Sequence, residues 1–315
     1  AMNTIPARLT RSMLFVPAAR PDMIAKAARS AADMVCIDLE DSVAPEQKEA
    51  SRAYAVQALQ TLDFGSRSRI VRINALDTPY AYRDVIEVVE AAGAHIDLIM
   101  LPKANAPRDL HFLDTLLGQI EARLSLVRPI GIEAQIETAS GFLWAREIAQ
   151  STPRLESLIF GPGDYAASMR MPLEHIGEAD AHDALYPGHR WHAVMHTIVA
   201  AARASGLRCM DGPSANFKDA GSFERACRVA LALGFDGKQC IHPAQLATAN
   251  TVFAPAPSEL AWAQAVVAAY TQAQAEGHGA INLNGTMIDA ANVRMAQTLV
   301  RRQQQIDARD QPHTG

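Results

Sequence analysis

RPIGIEAQIETASGFLWAREIAQSTPRLESLIFGPGD, residues 128–164, reads as a strand, a helix and a second strand. In the first strand Glu133, Gln135 and Glu137 share one parity, and Ile132, Ala134 and Ile136 share the other. One face therefore bears carboxylates and its opposite is apolar. A surface strand could carry that pattern, but nearly every other strand-like run in the chain also ends in charged residues. Buried carboxylates are costly unless they are paired or hold a metal. Glu137 at the end of one strand and Asp164 at the end of the next thus read as two oxygen ligands for a hard divalent cation. Mg2+ is the first choice and Mn2+ an alternative, with water and substrate in the remaining positions.

Outward from this stretch the pattern repeats. RSMLFVPA (11–18), MVCIDLED (34–41), RIVRINA (69–75) and DLIMLPKA (97–104) precede it, and LRCMDGPSA (207–215) and GKQCIHPAQ (237–245) follow. With the two strands above these make eight strand-like runs, separated by helical stretches such as DMIAKAARSAA (22–32), PEQKEASRAYAVQALQTL (45–62) and FERACRVALALG (223–234). Such alternation predicts an α/β fold, a (β/α)8 TIM barrel whose parallel strands are buried on both faces. A doubly wound open sheet is the alternative. Residues 1–254 are assigned to the barrel and 255–315 to a C-terminal helical extension. In that extension PAPSELAWAQAVVAAYTQAQAEG (255–277) and TMIDAANVRMAQTLVRRQQQ (286–305) read as helices. HGAINLNG (278–285) reads as a hairpin-like link between them. It serves either as a brace or as a lid hinged on its Gly-containing link.

Composition narrows the function. With 315 residues, 49% of them hydrophobic, the chain can bury a large core, and its net charge of −5 gives no basic footprint for nucleic acid. No apolar run reaches membrane-spanning length, and the opening AMNTIPARLTR lacks a secretory apolar segment. Cys36, Cys209, Cys227 and Cys240 have no paired spacing and fall in apolar runs, as reduced core thiols do, which favours the cytoplasm.

In a barrel the C-terminal strand ends form one mouth. Asp38, Glu40 and Asp41 end the second run, Arg72 and Asn74 the third and Lys103 the fourth, with Glu137 and Asp164 after the fifth and sixth. Five carboxylates against two cations predict a bound cation. Asp41, with Ser42, could instead cap the next helix. Lys103 reads as the partner of a second-run carboxylate rather than a Schiff-base lysine, whose depressed pKa an acidic mouth would oppose. Arg72, inside an apolar strand, requires an anionic partner, either a bound carboxylate or a neighbouring acid. His189, His192 and His196 have spacing that hints at zinc but fit a polar helix face better, and His242, before a proline, shapes a turn. Gly161-Pro162-Gly163 forms a tight loop whose amides could meet an anionic oxygen.

RSMLFVPAARPDMIAKA, DLEDSVAPEQK, VRIN, LPKA, IGIEAQIET, GPGDYAAS, DGPSANFKD and GKQCIHPAQLATAN together resemble the citrate lyase β-subunit-like branch of the HpcH/HpaI aldolase superfamily. The likeness runs in order from about Arg11 to Arg302. YPGHRWH, DGPSANFKD and IHPAQ look most like malyl-CoA and β-methylmalyl-CoA lyases. The resemblance implies a TIM barrel in trimers or hexamers, Mg2+ and a CoA thioester. It implies a carbon–carbon lyase that splits a 3-hydroxyacyl-CoA into an acyl-CoA and glyoxylate or pyruvate. A malyl-CoA thioesterase and a citrate lyase β subunit acting on an acyl-carrier protein are the alternatives. By the same resemblance Glu137 and Asp164 are metal ligands, Arg72 grips the 2-oxoacid, and Glu40 and Asp41 order metal-bound water. Gly163 joins Asp164 on the substrate side. Asp289, in NGTMID, is the acid/base delivered to a neighbouring subunit, and Arg20 and Lys26 contact CoA phosphates. The AAR at 18–20 replaces a Gly-containing turn of many relatives, which alters the expected CoA pocket.

Overall fold

The computed structural model describes residues 5–186, 189–275, 281–283 and 285–310. Among them, eight parallel strands close into a barrel in sequence order. These are β1 (Ser12–Pro17), β2 (Met34–Asp38), β3 (Ser68–Arg72), β4 (Leu98–Leu101), β5 (Gly131–Ile136), β6 (Leu155–Phe160), β7 (Arg208–Asp211) and β8 (Gly237–Cys240). Closure is made by β8 on β1, where Met13 is paired with Gln239 and Leu14 with Cys240. The open-sheet alternative is thereby excluded. Every residue of β2, β4, β5, β6 and β8 is buried, as strands covered on both faces require.

The barrel interior is filled by Met13, Met34, Cys36, Ile70, Leu98, Met100, Ile159 and Met210, with Phe15 packed against them. Long unbranched methionines suit this tapering space because they adapt to irregular gaps. Strand parity places Glu133, Gln135 and Glu137 of the β5 run in the same interior, one above another. At the N-terminal floor the β5–β6 register shifts between Ile132 and Glu133, and Glu156 takes the side chains of Arg8 and Arg208. Arg11 on Asp33 and Arg69 on Asp97 add ion pairs at the same end. The floor is thus held by paired charges, leaving the opposite end for chemistry.

The chain divides into two compact units, Ala1–Thr251 and Val252–Gly315. Within the second, helices Pro257–Ala275 and Ala290–Asp310 enclose Ala263, Val266, Ile288, Val293 and Ala296. Between them, Ile281–Leu283 and Thr286–Ile288 pair antiparallel, as the hairpin-like reading expected, while residues 276–280 and 284 lie outside the described residues. No described helix is long and apolar enough to cross a membrane. All four cysteines are buried and unbridged, and burial raises each thiol pKa, that of Cys227 to about 12.

Candidate active site

The C-terminal strand ends surround a cavity of about 360 Å³ lined by Phe15, Asp38, Asp41, Arg72, Gln135, Glu137, Gly161, Gly163, Asp164 and Ile176, among others. Parity accounts for the gathering. Asp38 and Arg72 end adjacent paired strands, with Cα register Asp38 to Arg72, and Gln135 and Glu137 rise from β5 beside them.

Arg72 is the best-fixed group. Its Nε and Nη2 donate to Asp38 Oδ1 and Oδ2 at 2.7 and 2.8 Å, a two-point grip that neither a lysine nor a single contact would give. Nη1 reaches Gln135 Oε1 at 3.4 Å and lies 3.0 Å from Glu40 Oε2, and the guanidinium sits 4.9 Å from the centre of the Phe15 ring. The anionic partner that the sequence required is therefore the neighbouring acid Asp38. Burial opposes the Arg72 charge, but Asp38 and Glu40 outweigh it and hold the group firmly protonated. Burial also works against the Asp38 carboxylate, and Arg72 with Ser42 overcomes it, so its pKa falls below the usual value.

Lys103 joins the carboxylates across the mouth. Its backbone is left-handed, with φ 47°, and its N–H donates to Glu137 Oε1 at 2.8 Å. The side chain forms an ion pair with Glu40 and stands 3.4 Å from Asp41 and 3.6 Å from Asp164. Burial lowers its pKa, but the Glu40 contact and the carboxylates of Glu40, Glu137 and Asp164 raise it above that of a free lysine. Such an amine stays charged and is no Schiff-base nucleophile, in keeping with the structural role read from the sequence. A left-handed non-glycine residue costs of order 1 kcal/mol or more, and its occurrence here fits a mouth that needs both bonds from one residue.

Glu137 is 2% exposed, and its pKa is pushed up to about 7 by burial first and by Glu40 and Asp164 next, against Arg72. Room for it comes from Gly161, where a Cβ would stand 2.2 Å from Glu137 Oε2. That close approach explains the first glycine of Gly161-Pro162-Gly163, and Pro162 opens the short helix Pro162–Ser168. Asp164, on that helix, has a side chain 39% exposed and turned to the same cavity. Glu40 Oε2 is buried without a hydrogen bond, because Arg72 Nη1 approaches it off line. A buried acceptor without a hydrogen bond, beside a carboxylate whose charge is disfavoured by burial and then by neighbouring acids, is what an oxygen-ligated divalent cation would relieve. No described group of three or more His, Cys, Asp or Glu side chains forms a ready-made metal cage, so such an ion would rely on water and substrate as well.

Asp41 does not cap a helix, contrary to one reading of the sequence. Asp38 holds that turn instead, accepting from Glu40 N at 2.9 Å and from Ser42 N at 3.2 Å, and Asp41 is left 62% exposed at the rim. A second cavity, of about 210 Å³, lies on the outer side of β6–β8 against Phe160, Trp191, Met195 and the Asp211–Lys238 pair, and holds none of the expected site residues.

Comparison with known proteins gives the family. Residues 11–243 match the HpcH/HpaI aldolase/citrate lyase family. The chain belongs to that family. An L-malyl-CoA/beta-methylmalyl-CoA lyase of Cereibacter sphaeroides is 40% identical over 309 residues, covering 96% of this chain and 97% of its own. The citrate lyase subunit beta of Leuconostoc mesenteroides subsp. cremoris is 36% identical over 297 residues, covering 93% of each. Among solved structures, the protein CitE of Mycobacterium tuberculosis, in complex with magnesium, acetoacetate and coenzyme A, superposes with a TM-score of 0.71 at 31% identity. That alignment covers 93% of this chain and 98% of CitE.

The other residues singled out in this HpcH/HpaI family chain fall elsewhere. Arg20 is exposed and paired with Asp22, and Lys26 is exposed at the end of helix Pro21–Ala27. Neither lines the cavity, although Met23 between them does. Asp289 accepts from Ala291 N and Asn292 N at 2.8 and 3.0 Å, capping the last helix of the second unit. His192 and His196 stack on the exposed face of helix His192–Ala204, and His189 precedes that helix, with no zinc arrangement among the described residues. His242 accepts from Ala244 N and stacks on Phe217, a turn-shaping role as expected. Asn74 leaves the mouth and bonds Asp84 instead. Sequence reasoning gave no role to Gln135 or Ile176. The parity of Gln135 with Glu137 could have flagged it, whereas Ile176 sits in an irregular segment with no periodic signal.

Proposed function

We propose that this chain is a Mg2+-dependent carbon–carbon lyase that splits a 3-hydroxyacyl-CoA, of the malyl-, β-methylmalyl- or citramalyl-CoA type, into an acyl-CoA and glyoxylate or pyruvate. The observation that carries this reading is the meeting of Glu137 and Asp164 with the Asp38-fixed Arg72 in one cavity. The names of the 40% identical relative and of the CitE complex support it.

Glu137 and Asp164 would hold the metal, with Glu40 and Asp41 placed to orient water beside it. Mg2+ bound there supplies Lewis acidity toward a 2-oxoacid carbonyl. The remaining steps belong to side chains. Arg72, kept charged and aimed by Asp38, hydrogen-bonds the oxygen on which negative charge grows as the carbon–carbon bond forms or breaks. In the condensing direction Asp289 removes the α-proton of the thioester while the new alkoxide takes a proton from water, and in cleavage the hydroxyl proton goes to water and Asp289 gives its own to the acyl-CoA carbon. Gly163 and Asp164 flank the oxoacid. Arg20 and Lys26 extend from the β1 side toward the CoA phosphates. The segment from about residue 255 acts as a lid that brings Asp289 to a neighbouring subunit of a homotrimer or hexamer and excludes water. Buried, unbridged thiols fit a cytoplasmic enzyme.

The test is incubation of the purified protein with Mg2+ and malyl-CoA or citramalyl-CoA, with EDTA as control, following 2-oxoacid and free thiol together. Metal-dependent 2-oxoacid without thiol is the expected result. Free CoA with intact hydroxyacid would instead mark a thioesterase. The likeness to a citrate lyase subunit beta favours one other reading, an acyl-carrier-protein substrate, which silence on both CoA esters would call for.

A further inference from the structure

One wall of the cavity is apolar, and it is built with unusual care. Ile176 belongs to the irregular segment after helix Pro162–Ser168 and, with Pro213, lines the cavity that Arg72 and Glu137 also line. Its side chain packs on Gly163, where a Cβ would stand 3.0 Å from Ile176 Cδ1. It is 39% exposed, an apolar group spent at a polar mouth.

The backbone on either side fixes its place. Ile176 O accepts from Ala215 N at 2.9 Å, and Gly177 O accepts from Ser214 Oγ at 3.1 Å. Gly177 has φ +75°, and a Cβ there would stand 2.2 Å from Pro213 O, so only glycine permits this docking. Arg190 ties down the flanks through Pro172 O at 2.8 Å and through Asp180 and Asp183 at 3.1 Å each. A side chain mounted on so many bonds acts as a fixed wall rather than a loose flap.

Resting on the function proposed above, we infer that Ile176 is the residue that reads the substituent on the oxoacid carbonyl carbon, hydrogen in glyoxylate and methyl in pyruvate. Its position decides which half of the substrate it meets. Ile176 covers Gly163, next to Asp164 of the metal-holding pair, and so faces the oxoacid. Pro17 and Met23 line the same cavity from the β1 side, where the function proposed above puts the thioester arm. The ligand class is thus a 2-oxoacid with no substituent or a small apolar one, and one carbon more or less against such a wall shifts selectivity by roughly 10- to 200-fold.

The test compares kcat/KM of the full chain with Mg2+ on malyl-CoA, citramalyl-CoA and β-methylmalyl-CoA, for the parent, Ile176→Ala and Ile176→Phe. Ile176→Ala should raise the citramalyl/malyl ratio by about 10-fold or more, and Ile176→Phe should lower it. The β-methylmalyl/malyl ratio, whose extra methyl is on the acyl side, should stay within about twofold. Movement of that second ratio in place of the first, or of neither, overturns the assignment. Ile176→Val, with a smaller shift in the same sense, serves if either variant fails to fold. A parent that cleaves none of the three esters refutes the lyase reading itself. The wall is then tested by calorimetric binding of pyruvate and glyoxylate with Mg2+, where an unchanged affinity ratio in Ile176→Ala overturns it.

Discussion

The backbone N–H of Lys103 donates to Glu137 while the Lys103 side chain pairs with Glu40, so one left-handed residue links the ends of β2, β4 and β5. Lys103 thereby sets how far the acidic groups of the mouth can spread.

Replacing Glu137 by Gln removes a buried carboxylate but keeps its shape. Lost partners of metal ligands commonly cost 10- to 100-fold, so if Glu137 is itself a ligand, as proposed, its loss should exceed about 100-fold in kcat/KM. Isothermal titration with Mg2+ should show the matching loss of binding. Unchanged Mg2+ affinity would remove Glu137 from the metal site.

Gly161→Ala should resemble that variant without replacing any acid, since the new Cβ would collide with Glu137 Oε2. Overpacking of this kind costs about 1–3 kcal/mol. A lowered unfolding midpoint together with weakened Mg2+ binding is the expected pair of results.

Asp38→Asn removes the two-point carboxylate partner of buried Arg72 and leaves only Glu40 to balance its charge, and breaking a buried pair typically costs about 3–5 kcal/mol. Denaturant unfolding at pH 7 measures this directly. Because the folded pKa of Asp38 is depressed, its contribution is present above the unfolded value and disappears as pH falls through the folded one, so parent and variant should converge in acid.

Glu133 tests the opposite sign. It is fully buried with neither carboxylate oxygen hydrogen-bonded, and burial, opposed by Arg208 and Arg8 and aided by Glu156, lifts its pKa from 4.5 to about 7. The folded state therefore holds this proton more tightly than the unfolded chain, and stability falls as pH rises from about 4.5 through about 7. Glu133→Gln has no proton to lose. Calorimetry should find it close to the parent at pH 5 and more stable at pH 8, by an amount of the order of 3 kcal/mol.

Asp289 caps a helix, so Asp289→Ala mixes two effects, loss of about 1 kcal/mol of capping and loss of a carboxylate. Asp289→Asn keeps the cap. If Asp289 is the acid/base, both variants should lose most of the rate with Mg2+ binding intact, and only the alanine form should melt earlier. Full activity in Asp289→Asn would end that assignment.

Much of this molecule was legible in its residues. The parity of Glu133, Gln135 and Glu137, repeated polar strand ends and eight alternations of strand and helix pointed to a barrel with acids at one mouth, because side-chain direction along a strand is fixed by the backbone, and the pairing of β8 with β1 then decided against an open sheet. Lys103 as a structural partner, His242 at a turn and the unbridged cysteines were also readable, since each depends on local spacing or burial. Tertiary structure alone decided which acid holds Arg72, that Asn74 turns away, and that Asp38 rather than Asp41 secures the β2 turn. It alone brought Ile176 onto Gly163. Those choices rest on side-chain directions in loops and at strand ends, some set within one turn, as at Asp38, and some between separate strands, as at Arg72, and no periodicity encodes them.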